Sequence, residues 1–192
     1  DLRVQHTLHR EMMKSVNEFS AIGAAGIVMD SHSGELIAMV SLPDYDINQA
    51  GAASSDARFN RAALGVYEMG STFKAFTAAM ALDLGTVKMA GGYDATKPLH
   101  VARYTIRDNH PKARWLSVPE IFIHSSNIGA AKMALDVGGH RQKEFLGRLG
   151  LLKRSSIELP EVGRPLLPKP WREINTVTVS FGHGISVSPV QL

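Results

Sequence analysis

One Ser-x-x-Lys pattern occurs in the sequence, Ser71-Thr-Phe-Lys74. Residues three apart on a helix lie on the same face, so this hydroxyl and this amine would be neighbours. A serine hydroxyl becomes a nucleophile when a base removes its proton, and a lysine is a base only when desolvation lowers its pKa. The residues that follow Lys74 are mostly Phe, Ala, Met and Leu, which would provide that desolvation. The pattern predicts acyl transfer, with N–H groups at the helix start facing a developing oxyanion.

A simpler interpretation of the same residues stays open. Ser71 can serve as the N-cap of the helix, and Lys74 can extend its amine to solvent along an apolar stem.

A second pattern, Ser125-Ser126-Asn127, follows Ser71 by 54 residues and lies between two predicted helices. A hydroxyl and an amide at such a junction can face one cleft together. The alternative is that they cap the following helix. The bare Ser-x-Asn pattern also occurs at Ser15-Val-Asn17, so it is the order of the two motifs that favours chemistry.

Other candidates have less support. His6 and His9 have the spacing of metal ligands on a helix, but no third ligand is near in sequence. Glu158 and Glu161 are expected to be solvated loop carboxylates. The segment Phe181-Gly-His-Gly184 has two glycines, but Ser-Pro follows instead of the helix that a phosphate loop needs.

Hydrophobic periodicity and turn residues predict the elements that position these motifs. We expect a helix over 3–19, hairpin strands over 24–30 and 35–42, a loop over 43–60, a buried helix over 71–85, and an irregular stretch over 91–114.

The second half of the chain is predicted to be largely helical. A capping box, Ser117-Val-Pro-Glu120, opens a short helix. Further helices are expected over 128–137 and 142–149, an extended stretch over 155–170, and a strand or a helix over 175–179.

The composition is that of an ordinary globular protein, with 44% hydrophobic and 20% charged residues. The absence of Cys excludes disulfides, thiol nucleophiles and thiolate zinc sites. A net charge of +3, without a basic stripe or stacking aromatics, does not favour a nucleic-acid partner. Because the chain starts and stops without clear closing elements, we expect it to be a piece of a longer protein.

The ordered set of motifs resembles the penicillin-binding transpeptidases of class B. The resemblance covers nearly the whole chain and is strongest toward the division-specific enzymes. It depends on the two motifs above and on Asp1-Leu-Arg-Val-Gln5, Val28-Met-Asp, Gly34–Pro43, Asn60-Arg61, Tyr67-Glu-Met-Gly70 and Phe181–Leu192. Met69 departs from the family, which usually has Pro there.

The resemblance implies a truncated penicilloyl-serine transferase fold, of the α/β (α+β) class, with an antiparallel sheet part and an all-helical part. Residues 1–50 would supply the first helix and hairpin of the sheet part, and residues 51–192 most of the helical part. The third family motif, Lys-[Ser/Thr]-Gly, does not occur in this sequence. We therefore expect the remaining sheet strands to lie outside this chain, and the chain alone to be a weak or inactive enzyme.

The resemblance also implies a role for each motif residue. Ser71 would be the nucleophile and Lys74 the base, Ser125 would pass a proton to the leaving amine, and Asn127 would hold the substrate amide and orient Lys74. Ser126, His183 and Gly184 would contact substrate. No metal and no cofactor are implied, because proton shuttling and oxyanion stabilisation suffice for this acyl transfer.

The implied activity is D-Ala-D-Ala transpeptidation of peptidoglycan stem peptides, inhibited covalently by β-lactams. The implied location is the periplasmic face of the inner membrane, reached through an anchor outside this chain, with division proteins as partners. A serine β-lactamase and a non-enzymatic penicillin-sensing domain are the alternatives.

Overall fold

The structure is a computed structural model that describes all residues from 1 to 192. It divides into two compact units. The sheet unit consists of Asp1–Tyr67, Arg154–Pro165 and Val187–Leu192. The helical unit consists of Glu68–Lys153 and Leu166–Ser186.

The sheet unit begins with helix α1, Leu2–Glu18, which confirms the predicted first helix. The Asp1 carboxylate caps it by accepting hydrogen bonds from the first-turn amides. Its apolar face packs on the hairpin at Gly26, where a side chain would overlap Met12. The amide of Gln5 adds a reciprocal pair of hydrogen bonds with the Met39 backbone, at 2.6 and 2.9 Å.

The predicted hairpin is also confirmed. Strands β1, Ala24–Met29, and β2, Leu36–Leu42, pair antiparallel. The Asp30 carboxylate closes the turn by accepting two backbone N–H bonds at 2.8 Å, and Gly34 has a φ of +77°. Alternate residues of β2 are buried, as expected for a strand with one face on a core: Ala38, Val40 and Leu42.

The helical unit is built on helices α2, Phe73–Asp83, α4, Asn127–Val137, and α6, Glu173–Val179. Helix α4 packs against both of the others. Because α2 and α4 are apolar on most faces, they are buried, as predicted. The main core is formed by Met80, Ala81, Ala95, Leu116, Val118, Ile121, Ile128, Met133 and Val137.

Helix α3, Val118–Ile123, starts at the predicted capping box. The Ser117 hydroxyl accepts the Glu120 amide, and the Glu120 carboxylate accepts the Ser117 amide at 2.9 Å. Three residues, His124, Ser125 and Ser126, lie between the end of α3 and the start of α4, and the second motif begins among them.

The expectation of an irregular stretch over 91–114 is wrong. The chain there forms three-residue strands β3, Gly92–Asp94, β4, Leu99–Val101, and β5, Tyr104–Ile106, and strand β6, Trp115–Ser117, follows. Strand β3 pairs with β6, and β4 pairs with β5, both antiparallel. Strands of three residues are too short to show alternation in the sequence.

The remaining differences are smaller. Helix α5, Gly139–Arg148, begins three residues before its predicted start. The segment at 175–179 belongs to helix α6, not to a strand. A short 3₁₀ helix, Ile47–Ala52, lies within the predicted loop. No helix combines the length and the apolar character needed to cross a membrane.

Candidate active site

Ser71 lies in a 3₁₀ turn, Gly70–Thr72, that leads directly into α2. Gly70 has a φ of +55°, in the left-handed region that glycine adopts without a steric penalty. Its amide donates to the Gly182 carbonyl at 3.3 Å. The turn therefore presents Ser71 at the surface of the helical unit, where a substrate can reach its hydroxyl.

Lys74 is almost completely buried, with 3% of its surface exposed. Its Nζ donates to Ser71 Oγ at 3.0 Å, to Ser125 Oγ at 2.8 Å and to the Ser125 carbonyl at 2.6 Å. Ser125 Oγ closes the triangle by donating to Ser71 Oγ at 3.0 Å. The alternative in which Lys74 extends to solvent is excluded by this geometry.

Burial lowers the pKa of Lys74 to about 8, because the ammonium loses hydration, and the nearby Asp108 carboxylate offsets part of that loss. A lysine with this pKa is neutral in roughly one molecule in ten at pH 7. This confirms the predicted desolvation of Lys74. Beside the lysine lies a small cavity of about 10 Å³, lined mainly by apolar groups: Ala78, Val118, Ile121, Phe122, Ala130 and Met133.

Ser125 has a φ of +52°, although it is not a glycine. A left-handed conformation costs an L-residue roughly 1–2 kcal/mol, so neighbouring contacts must hold it. In this conformation both its hydroxyl and its carbonyl oxygen face Lys74. The Ser125 hydroxyl is thereby within hydrogen-bond distance of both the nucleophile and the amine, as a proton relay requires.

Asn127 and Ser126 have other partners than the sequence suggested. The Asn127 amide donates to the Arg107 carbonyl at 3.0 Å and makes no hydrogen bond to Lys74. Ser126 is 1% exposed; its Oγ donates to Asp108 at 2.8 Å and accepts the Gly129 amide at 3.0 Å. Ser126 thus caps α4, as the alternative interpretation proposed for this motif, and its hydroxyl is not at the surface.

Asp108 carried no predicted role, although it contacts the second motif. The residue is 9% exposed, and its carboxylate accepts the Ser126 hydroxyl and the Ile128 amide, at 2.8 and 2.9 Å. It precedes these partners by 18 and 20 residues in the sequence, and no spacing rule links them. Only the fold brings this carboxylate to the second motif.

His183 and Gly184 both contact the carboxylate of Glu68. The Glu68 carboxylate accepts the Gly184 amide at 2.7 Å and lies 3.0 Å from His183 Nδ1. These contacts lower the pKa of Glu68, the His183 hydrogen bond having the largest effect. Glu68 precedes Ser71 by three residues and carried no predicted role. A role of His183 and Gly184 in substrate binding stays a prediction.

The remaining sequence candidates lie in the sheet unit. His9 pairs with Asp44 at 2.7 Å, and Glu161 accepts the Asn60 amide at 3.3 Å. Nowhere in the structure do three or more His, Asp or Glu side chains cluster in a way that could hold a metal ion.

Comparison with known proteins identifies a family. The sequence profile described as the penicillin binding protein transpeptidase domain matches residues 24–192. A probable peptidoglycan D,D-transpeptidase FtsI from Caulobacter vibrioides is 47% identical over the whole chain, and the peptidoglycan D,D-transpeptidase FtsI of Escherichia coli K12 is 31% identical. The chain spans 33% of the length of each of these two relatives.

Solved structures agree with this assignment. The whole chain superposes on the transpeptidase domain of Burkholderia pseudomallei penicillin-binding protein 3 with a TM-score of 0.87 and 28% identity, covering 54% of that chain. A Burkholderia ambifaria protein described as a peptidoglycan glycosyltransferase gives 0.88 and 29%, covering 57%. The predicted fold class is confirmed. The chain belongs to the penicillin-binding protein transpeptidase domain family.

Proposed function

We propose that the protein containing this chain is a serine D,D-transpeptidase that cross-links peptidoglycan stem peptides. The observation that carries the proposal is the triangle of Ser71 Oγ, Lys74 Nζ and Ser125 Oγ, with sides of 2.8–3.0 Å around a buried lysine. Family membership supports the same activity, since relatives that match the whole chain bear this name.

In the proposed first half-reaction, Ser71 Oγ attacks the carbonyl carbon of the penultimate D-Ala. Neutral Lys74 takes the serine proton as the new C–O bond forms. The C–N bond to the terminal D-Ala then breaks, and Ser125 relays a proton from Lys74 to the departing amine. The products are an acyl-enzyme on Ser71 and free D-Ala.

The second half-reaction reverses these roles. An amine from another stem peptide attacks the ester, Lys74 accepts its proton, and the C–O bond to Ser71 breaks. The proton returns to Ser71 Oγ, the amide cross-link is complete, and no group is consumed in the protein. A β-lactam would follow the first half only, because its leaving amine stays tethered to the acyl group.

The carboxylates near the site have partners that argue against fast hydrolysis of the acyl-enzyme. Asp108 accepts two internal hydrogen bonds, and Glu68 accepts the Gly184 amide and contacts His183. Neither is a free base for a water molecule, so transpeptidation is favoured over the β-lactamase alternative.

We also place the full-length protein at the periplasmic face of the inner membrane, acting in septal wall synthesis with division proteins. Support comes from the chemistry of the substrate, which lies outside the cytoplasm, and from the resemblance to the division-specific class.

The test uses the full-length protein with a stem peptide ending in D-Ala-D-Ala and a second stem that offers an amine. We expect mass spectrometry to detect the cross-linked dimer and released D-Ala, and Ser71→Ala and Ser125→Ala to abolish the dimer. Ser15→Ala, in the unrelated Ser15-Val-Asn17 of α1, should leave it unchanged. Hydrolysed peptide without dimer would contradict the proposal, and so would a stable penicillin adduct with no turnover of peptide.

A further inference from the structure

The segment Arg107-Asp108 holds the second motif at three points. Its hydrogen bonds run from the Asn127 side chain to the Arg107 carbonyl at 3.0 Å, from Ser126 Oγ to Asp108 Oδ2 at 2.8 Å, and from the Ile128 amide to Asp108 Oδ1 at 2.9 Å. We call these three bonds the Asp108 clasp. Two of them end on the same carboxylate, so Asp108 is its central group.

The clasp explains how Ser125 keeps its left-handed conformation. Ser125 lies between helix α3, which ends at Ile123, and the clasped residues that begin at Ser126. A left-handed non-glycine residue persists only when its surroundings fix it. The clasp fixes the residues after Ser125, and the hydrogen bonds from Lys74 fix Ser125 itself.

Asp108 also acts on Lys74 through its charge. Its negative charge favours the ammonium form of the lysine. Helices α3, α4 and α5 pack against α2. Their charged groups are engaged elsewhere or exposed: Glu120 with Arg114, Lys132 at the Asp94 carbonyl, Asp136 beside Tyr93, Arg148 beside Asp83, and the exposed His140, Arg141, Lys143 and Glu144.

We propose that Asp108 is a positioning residue for the acylation step, which holds the Ser125 hydroxyl against Ser71 and places a negative charge beside Lys74; this rests on the proposed transpeptidase function. Asp108 touches no reacting atom in this arrangement. It acts through Ser126 and Ile128 on the geometry of the relay, and through space on the proton of the base.

The two effects can be separated by substitution. Asp108→Asn removes the charge and also replaces one clasp acceptor by an N–H₂ donor, so the effect of the charge is read from the pH of the rising limb and not from the plateau. Ser126→Ala keeps the charge and removes one bond of the clasp. Glu120→Gln is the matched control, since Glu120 is also a helix-capping carboxylate of the helical unit but its hydrogen bonds run to Arg114 and Ser117.

The measurement is the second-order rate constant for acylation of the full-length protein by a fluorescent penicillin, recorded against pH. In the wild type this rate should rise with pH as Lys74, with its pKa of about 8, loses its proton. Removing the Asp108 charge takes away a group that stabilises the ammonium. The rising limb of Asp108→Asn should therefore move to lower pH by ~0.5–1 unit.

Ser126→Ala should lower the acylation rate at the high-pH plateau about tenfold, as expected for a misplaced relay. It should leave the pH of the rising limb unchanged. Glu120→Gln should change neither the plateau rate nor the pH of the rising limb.

Melting curves establish that each variant folds. If Asp108→Asn does not fold, the result for Ser126→Ala decides. An unmoved limb in folded Asp108→Asn, or an unchanged plateau in Ser126→Ala, would overturn the inference. A wild type that penicillin does not acylate at Ser71 would instead contradict the proposed function.

Discussion

The proposed acyl transfer depends on a single buried amine. Lys74 is desolvated by the apolar groups around it, and its pKa is lowered to about 8 for that reason. It has hydroxyl groups on two sides, one at the start of its own helix and one in the junction between α3 and α4. A base in this position can take a proton from either hydroxyl along an existing hydrogen bond.

The residue-scale prediction concerns the identity of this base. Lys74→Arg should reduce acylation by penicillin by about 10³-fold or more, because a guanidinium keeps its positive charge and cannot accept the serine proton. Lys132→Arg is the control, since Lys132 is on the same unit but donates to the Asp94 carbonyl. Stopped-flow fluorescence with a labelled penicillin measures both. Acylation of Lys74→Arg at more than about a tenth of the wild-type rate would mean that Lys74 contributes only charge.

At the scale of elements, the loop that follows α6 packs against the start of α2, where the nucleophile lies. The loop after α6 approaches Gly70 so closely that a Cβ on Gly182, which has a φ of +78°, would overlap the Gly70 backbone. From the other side, Thr77 of α2 donates to the Ser180 carbonyl at 2.8 Å. The start of α2 and this loop are therefore packed directly against each other.

The element-scale prediction uses this close approach. Gly182→Ala should destabilise the protein by more than the roughly 1 kcal/mol of its backbone conformation, and should slow acylation about tenfold or more by displacing Gly70 and Ser71. Gly85→Ala is matched to it, since Gly85 has a φ of +66° but open space around a Cβ. It should lower the melting temperature without slowing acylation. Equal acylation rates for the two variants would contradict the bracing role of Gly182.

Elements with strong local signals were predictable from the sequence. Helix α1 has a regular apolar stripe, the hairpin has a turn rich in Ser and Gly, and α3 has its capping box. The three-residue strands β3 and β6 were not predictable. They pair with each other, with Gly92 opposite Ser117, although many residues separate them in the sequence. Their stability comes from that distant partner and not from a local pattern.

The same distinction holds for the site. Ser71, Lys74 and Ser125 form a recognisable pattern, and the fold brings them together. Asp108 and Glu68 could not be recognised, since each acts on a partner that only the fold brings near. Ser126 is buried, where its hydroxyl binds Asp108 and the Gly129 amide, and its contact with substrate stays a prediction.

For the molecule as a whole, four segments of the helical unit converge on one serine. They are the turn at 68–74, the clasp residues 107–108, the junction 125–128 and the loop 181–184. Acyl transfer at Ser71 is therefore the property that the arrangement as a whole supports.

The most direct test of this account is to find the atom that a penicillin modifies. The full-length protein is treated with a labelled penicillin, digested, and mapped by tandem mass spectrometry. The account predicts one adduct per protein, on the peptide that contains Ser71, and none in the Ser71→Ala variant. An adduct on any other residue, or one that persists in Ser71→Ala, would contradict it.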